Sequence, residues 1–392
     1  MAYYSIFPEK DATIYSNPDR DTLNTGRDEI LELIKEKGDN NNIYYPSRIL
    51  LKFNNSELED VIYNKIGVTT NQAYNGINPY YSASLQLFST EHQNLASQHS
   101  IFVHKVSESW DEGTGRYLNL PTSSNGVSWK FKDNDITKTS WLTSGFSEES
   151  TGSIRTIEGL NPGGGTWYTS SLLSSSLVFN NARDLDLNFD ITSIVEYDIQ
   201  KLSSKDETST LLDEAVQGYI IKYADSIEEN ISSSKGTLSY FSVDTHTIFP
   251  PKLTFKWDDS LHNSQSLAKN KGELNVSLYR NKDEYNINEE ATLRLSVRDK
   301  YPNRTFATSS NYLTPGYFTT SSFYSIRDAH TEEIIIPFDN NCTKLSADSE
   351  GMYLKIYMNG LQPERYYRLL FKHINNEGIE IFDNNYHFKV VR

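Results

Sequence analysis

Val106-Ser107-Glu108-Ser109-Trp110-Asp111-Glu112-Gly113-Thr114-Gly115 places three carboxylates around one tryptophan and closes on two glycines. Carboxyl pairs beside an aromatic ring are the equipment of glycoside hydrolysis. A retaining mechanism needs the two groups about 5 Å apart, and an inverting one needs a wider gap. Such pairs usually come from different strands, whereas neighbours along one turn point in divergent directions. The spacing therefore argues against catalysis by Glu108, Asp111 or Glu112 and for turn capping and solvation. Carboxylate oxygens also suit Ca²⁺, here or at Asp184, Asp186 and Asp190, but no calcium-loop signature accompanies them. The expectation is no catalytic residue, no metal and no cofactor.

Four aromatics near that segment, Trp129, Trp141, Trp167 and Tyr168, form the candidate contact set. They could stack on sugar rings or anchor a protein interface, where aromatics are enriched; the interface is favoured. Asn161-Pro162-Gly163-Gly164-Gly165-Thr166 lacks the lysine of a phosphate loop and reads as a plain loop. Ser242, Asp244 and His246 sit two apart on an extended segment and cannot converge into a triad. His246 is expected instead to fix the turn before Pro250. No metal-binding spacing exists among the eight histidines. Cys342 is the only cysteine, so no disulfide framework exists, and a buried role is expected for it. Arg304, Arg365 and Arg368 read either as partners for foreign carboxylates or as local packing.

Strands must position these groups. Of the 392 residues only 37% are hydrophobic, but 26 are Tyr and 18 Phe. That suits thin β-layers with aromatic anchors. The mean hydropathy of -0.59 does not imply disorder, because aromatic and β-branched residues recur throughout. The net charge of -15 comes without a basic patch, so nucleic acid is not an expected partner. The N-terminus lacks a signal-peptide pattern. No apolar run approaches the roughly 20 residues of a membrane helix, so membrane insertion is not expected.

Strand patterns cover Asp11–Tyr15, Glu29–Ile34, Arg48–Phe53, Ala83–Phe88, Ser100–Val106, Leu185–Ile191, Gly218–Tyr223, Leu238–Ser242 and Lys252–Trp257. Short helices are expected near Leu58–Asn64 and Ile191–Gln200. Gly113–Gly165 is a long, turn-rich insert of the kind that usually contacts something. After a polar linker, about seven short strands follow in about 120 residues, the density of an immunoglobulin-like sandwich. The chain thus reads as all-β: a jelly-roll-like β-sandwich over 1–258, a linker over 259–271 and an immunoglobulin-like β-sandwich over 272–392.

Asp11-Ala12-Thr13-Ile14, Asn24-Thr25-Gly26, Ser47–Phe53, Ala83–Leu87, Val106–Gly113, Phe189–Thr192 and Gly218–Lys222 occur in an order that resembles the DNRLRE-type β-sandwich, a jelly-roll related to carbohydrate-binding modules. That family continues the Trp110 motif with a Trp-Asn pair and a Pro. Here a longer insert replaces them, which departs from any standard ligand site. Phe241–Leu253, Lys300–Phe306, Ser309–Leu313 and Gln362–Arg368 resemble virion structural proteins of contractile-tailed bacteriophages. The resemblance implies a non-enzymatic structural protein of the tail, baseplate or neck, assembled in the host cytoplasm. Its implied partners are other virion proteins, and its implied state is a homo-oligomer or symmetric repeat. The alternative is a module that presents the virion to a host-surface glycan.

Overall fold

The computed structural model describes residues 2–38, 43–68, 81–95, 98–118, 123–135, 137–142, 163–182, 185–203, 216–230, 232–263, 273–279, 281–301 and 316–392. The chain is all-β and divides into two compact units, Ile6–Thr254 and Phe255–Arg392 with Met1–Ser5. The second unit claims the extreme N-terminus because Tyr3 is part of its apolar core.

The strands up to the division are β1 (Ala2–Ile6), β2 (Pro8–Tyr15), β3 (Ile30–Lys37), β4 (Tyr44–Phe53), β5 (Tyr81–Leu87), β6 (Gln98–Lys105), β7 (Phe131–Asp133), β8 (Thr139–Ser140), β9 (Ser174–Asn180), β10 (Leu187–Asp190), β11 (Tyr219–Tyr223), β12 (Thr237–Phe241) and β13 (Lys252–Trp257). The larger sheet of the first unit has the order β12-β3-β4-β11-β6-β9, with β2 also on β4. β5 and β10 pair antiparallel in another sheet. Alternation puts Leu85, Leu87, Leu187 and Phe189 on one buried face of that pair. Asp190 accepts the Thr192 N–H at 3.0 Å and so starts the Thr192–Ser203 helix.

β4 and β11 are buried along almost their whole length. A strand of an ordinary sandwich alternates, so something must cover both faces of this sheet. Register shows what does. Ala12, Leu50 and Ile220 stand opposite one another, and Ile14 stands opposite Arg48. This row packs against Val106, Trp110, Val127, Trp129, Trp141 and Trp167 in one apolar cluster. The described parts of the Gly113–Gly165 insert therefore fold back as an extra layer on the sheet. Residues 143–162 lie outside the described residues.

Asn24 pins that layer. Its Nδ2 donates to the Glu112 carbonyl at 2.6 Å and the Val127 carbonyl at 2.8 Å. Its Oδ1 accepts the Gly115 N–H at 2.7 Å. A Cβ at Gly26 would lie 2.1 Å from the Glu112 carbonyl oxygen, so glycine is required for this approach. The Asn24-Thr25-Gly26 turn and the Trp110 segment are thus one docked unit.

Two of the sheets lie wholly in the second unit. One, β14-β16-β20-β19, comprises β14 (Leu274–Tyr279), β16 (Glu290–Asp299), β20 (Gly351–Tyr357) and β19 (Ser346–Asp348). The other, β15-β22-β21-β17-β18, comprises β15 (Glu284–Asn286), β22 (Gly378–Val391), β21 (Arg365–Asn375), β17 (Ser322–Asp328) and β18 (Ile334–Ile336). Leu293, Leu295 and Leu354 from the first join Ile326, Leu369 and Phe371 from the second in one core. Cys342 lies in that core, and burial pushes its thiol up to about 12. Of the expected linker, residues 261–263 are already structured: His262 forms a parallel bridge to Ala347 of β19. Residues 264–271 of that linker lie outside the described residues.

Asn24→Ala should lower the unfolding free energy by about 3 kcal/mol, since it strands two buried carbonyls and the buried N–H groups of Gly115 and Gly26. Urea denaturation checks this, and an unshifted midpoint would contradict the pinning role.

Candidate functional site

The three carboxylates of the Trp110 segment leave the chain in three directions. Glu108 accepts from Lys132 Nζ at 2.7 Å and from the Leu142 N–H at 3.0 Å. Asp111, half exposed, pairs with Lys10 at 3.2 Å. Glu112 turns inward, accepting the Asp11 N–H at 3.2 Å and pairing with Arg27 at 3.3 Å. Each carboxylate has its own cation, so no two form an acid/base pair. The Trp110 ring is buried in the apolar cluster, and its Nε1 donates to the Gln217 carbonyl at 3.0 Å.

An open groove of about 780 Å³ remains beside this segment. Glu9, Lys10, Lys52, Glu108 and Lys132 line it, with Ser107, Ser109, Gln217 and the edge of Trp110. Lys52 pairs with Glu9 at 3.3 Å. Three lysines therefore face a polar groove with their charges already balanced. Such a surface suits a neutral, hydroxyl-rich ligand better than an anion.

The candidate contact set lies elsewhere. Trp129, Trp141 and Trp167 are 1%, 2% and 2% exposed. They form no surface platform, which corrects the expectation of an exposed contact face. The cause is the large sheet beneath them, whose apolar row would otherwise meet water. Tyr168 is half-buried and does not join them; its ring lies 5.9 Å from Lys105 Nζ.

Trp129 and Trp167 instead sandwich Arg48, whose guanidinium carbon lies 4.5 Å and 4.6 Å from their ring centroids. Arg48 donates to Glu228 from Nε at 3.2 Å and from Nη2 at 2.7 Å, and from Nη1 to the Gly164 carbonyl. Lys222 reaches the same carboxylate at 3.1 Å and Asp225 at 2.7 Å. Arg48, Lys222 and Glu228 have at most 1% side-chain exposure. Burial alone would raise the Glu228 pKa, but Arg48 and then Lys222 hold it below the ordinary range. Burial, reinforced by Lys222, brings His104 down to about 4, so it stays neutral beneath Trp167.

Residue types flagged this network only faintly. Arg48 and Lys222 interrupt otherwise apolar strands, a signal of a buried partner. Glu228 gave none.

Asp11 is the other perturbed group. It accepts the Val243 N–H at 2.6 Å through Oδ2, while Oδ1 is buried without a hydrogen-bond partner. Burial raises its pKa to about 8, with Glu112 and Asp244 adding to the shift against the Val243 bond and Arg27.

The remaining candidates are used locally. Asp186 accepts the Ser89 N–H, Asp190 caps its helix, and Asp184 lies outside the described residues. Among the described residues no group of three His, Cys, Asp or Glu is placed to hold a metal ion. The turn before Pro250 is held by the Thr245 and Thr247 hydroxyls, and His246 is exposed, contrary to its expected role. Arg368 pairs with Asp383 and Glu332, and Arg365 with Asp328 at 3.8 Å. Arg304 lies outside the described residues. Among the described residues no helix is long and apolar enough to cross a membrane.

No family model matches this chain, and no curated protein matches it. One matching solved structure is the apo structure of Bacteroides uniformis beta-glucuronidase 3, at 9% identity and a TM-score of 0.16. The match takes in 80% of this chain and 28% of that one, so this chain spans less than a third of that protein. A likeness this loose carries no inference of fold or activity.

Glu228→Gln should cost about 3–5 kcal/mol, because it leaves a buried guanidinium uncompensated; a wild-type urea midpoint would refute the role given to the network. Asp11 binds its proton more tightly folded than unfolded. Its stabilising contribution is therefore complete below about pH 4 and is lost as pH rises through about 8. Asp11→Asn keeps the Val243 acceptor without the titration, so its stability relative to wild type should climb between pH 4 and 8. A pH-independent difference in thermal midpoint would contradict this.

Proposed function

We propose that this protein is a non-enzymatic structural component of a phage virion, in the tail, baseplate or neck, acting through contacts with other virion proteins. The observation that carries this reading is the β21–β22 hairpin. Ile374 stands opposite Ile379, and Lys372 opposite Ile381, so all four share one face. The three isoleucines are 37%, 66% and 58% exposed. Beyond β21, β22 pairs as a strand only with β15, at Lys389–Val391, so among the described residues its far edge from Gly378 to Phe388 has no paired strand. A free, partly apolar strand edge is a surface for protein pairing, and soluble proteins normally protect it.

The chemistry-bearing residues support the same reading. Glu108 and Asp111 are each held by a lysine, and the large aromatics are used inside the fold. The sequence blocks resembling contractile-tailed phage proteins supply the particle class. Repetition around a symmetric particle would give each exposed edge a defined neighbour. A second reading, a glycan-binding module that presents the virion to a host surface, draws on the charge-balanced groove beside Trp110.

Mass spectrometry of purified virions should find the protein at a fixed copy number, and its absence would overturn the virion reading. The double variant Ile379→Lys/Ile381→Glu should fold normally yet enter particles on the order of tenfold less well. Normal incorporation would remove the hairpin from the interface. Glycan binding that is lost in Lys52→Ala/Lys132→Ala, with incorporation unaffected, would favour the second reading.

A further inference from the structure

The Thr192–Ser203 helix brings Asp198 against the end of β6, where Lys105 Nζ donates to Asp198 Oδ1. The pair is deep inside the first unit, with side chains 3% and 0% exposed. Its walls are aromatic. The Tyr168 and Tyr197 ring centroids lie 5.9 Å and 5.3 Å from Lys105 Nζ. Tyr219 stands directly opposite Lys105 in the antiparallel β6–β11 pair and is itself buried. Side chains in such pairs have Cβ atoms about 5 Å apart.

Two polar atoms here are unsatisfied. Asp198 Oδ2 and the Tyr219 hydroxyl are both buried without a hydrogen-bond partner. Burial raises the Asp198 pKa against the pull of Lys105, and burial followed by the Asp198 charge raises that of Tyr219. A lone ion pair is poorly stabilised in such a setting. Passing one proton from the ammonium to the carboxylate leaves a neutral amine touching a carboxylic acid, with water excluded. Those are the reactants of an amide.

We infer that Lys105 and Asp198 are the two ends of an intramolecular isopeptide bond that the folded chain forms by itself. Neutral Nζ attacks Asp198 Cγ, and the Nζ–Cγ bond forms. The bond from Cγ to the acid's hydroxyl oxygen then breaks, and that hydroxyl leaves as water with one proton from the nitrogen. No oxidant, reductant or metal enters the balance. The product is neutral and removes two charges from the interior. It closes a loop between residues 93 apart in sequence, which includes the Trp110 segment and the whole insert. It ties the sheet to the Thr192–Ser203 helix. The inference does not depend on the virion reading.

Intact-mass measurement of the purified full chain tests it. The wild-type chain should be one water lighter than its sequence mass. Its tryptic digest should contain a branched peptide joining Lys105 to Asp198, with no cleavage after Lys105. Lys105→Arg and Asp198→Ala should each restore the full mass. The inference is overturned by a wild-type chain at full sequence mass, or by a missing water that maps to other residues. The wild-type digest is read after denaturation, so the decision does not require either variant to fold.

Discussion

A guanidinium with no access to water has to be neutralised where it lies, and Arg48 meets that requirement from every side. Glu228 takes two of its donors, the Gly164 carbonyl takes a third, and Trp129 and Trp167 cover the two faces of the plane. Arg48 stands in the middle of β4, and its partners come from distant parts of the chain: Glu228 from the Asp225–Glu228 helix after β11, Trp129 from within the insert, and Gly164 and Trp167 from its end. Misplacing any one leaves a buried charge exposed to apolar walls. The network therefore holds the insert to the sheet and sets where Trp167 and Lys222 can lie. At Gly164 an added Cβ would come within 2.5 Å of Arg48 Nη1, so the loop must be glycine there.

With Arg48 fixed, the larger sheet has two covered faces rather than one. That changes the meaning of the aromatic residues. A tryptophan in a long loop reads as a contact residue because loops are usually on the surface. In this fold the loop is itself a layer, and its tryptophans are the apolar side of that layer. The same geometry turns Glu112 inward and leaves Glu108 and Asp111 to the lysines along the groove. The groove is then a by-product of anchoring the layer, with its charges matched pair by pair. Among the described residues the second unit has a strand edge without a paired strand, where β22 runs on beyond its short partner β15.

Much of the architecture was legible in the residues. Alternation marked β5, β6, β10 and β12, and the strict spacing of Lys252–Trp257 gave β13 without change. β9 was not apparent, because Ser174-Ser175-Ser176 hides the pattern and one buried Phe179 carries most of its packing. The divergence of Glu108, Asp111 and Glu112 followed from their adjacency alone. Their individual partners did not, since Lys10, Arg27 and Lys132 lie between 24 and 101 positions away or share no local pattern with them.

The sequence by itself determined that this is an all-β chain, because period-two hydrophobicity and turn residues are local properties. It also determined that a strand runs up to the Trp110 segment, since Ser100–Val106 alternates. Only the tertiary structure decided which face each tryptophan meets, which carboxylate each cation finds and why Tyr3 belongs with the second unit. Those outcomes depend on register: one pairing sets Ile14 opposite Arg48 and Ile220 opposite Leu50, and a shift of one residue would send all of them to the other side of the sheet.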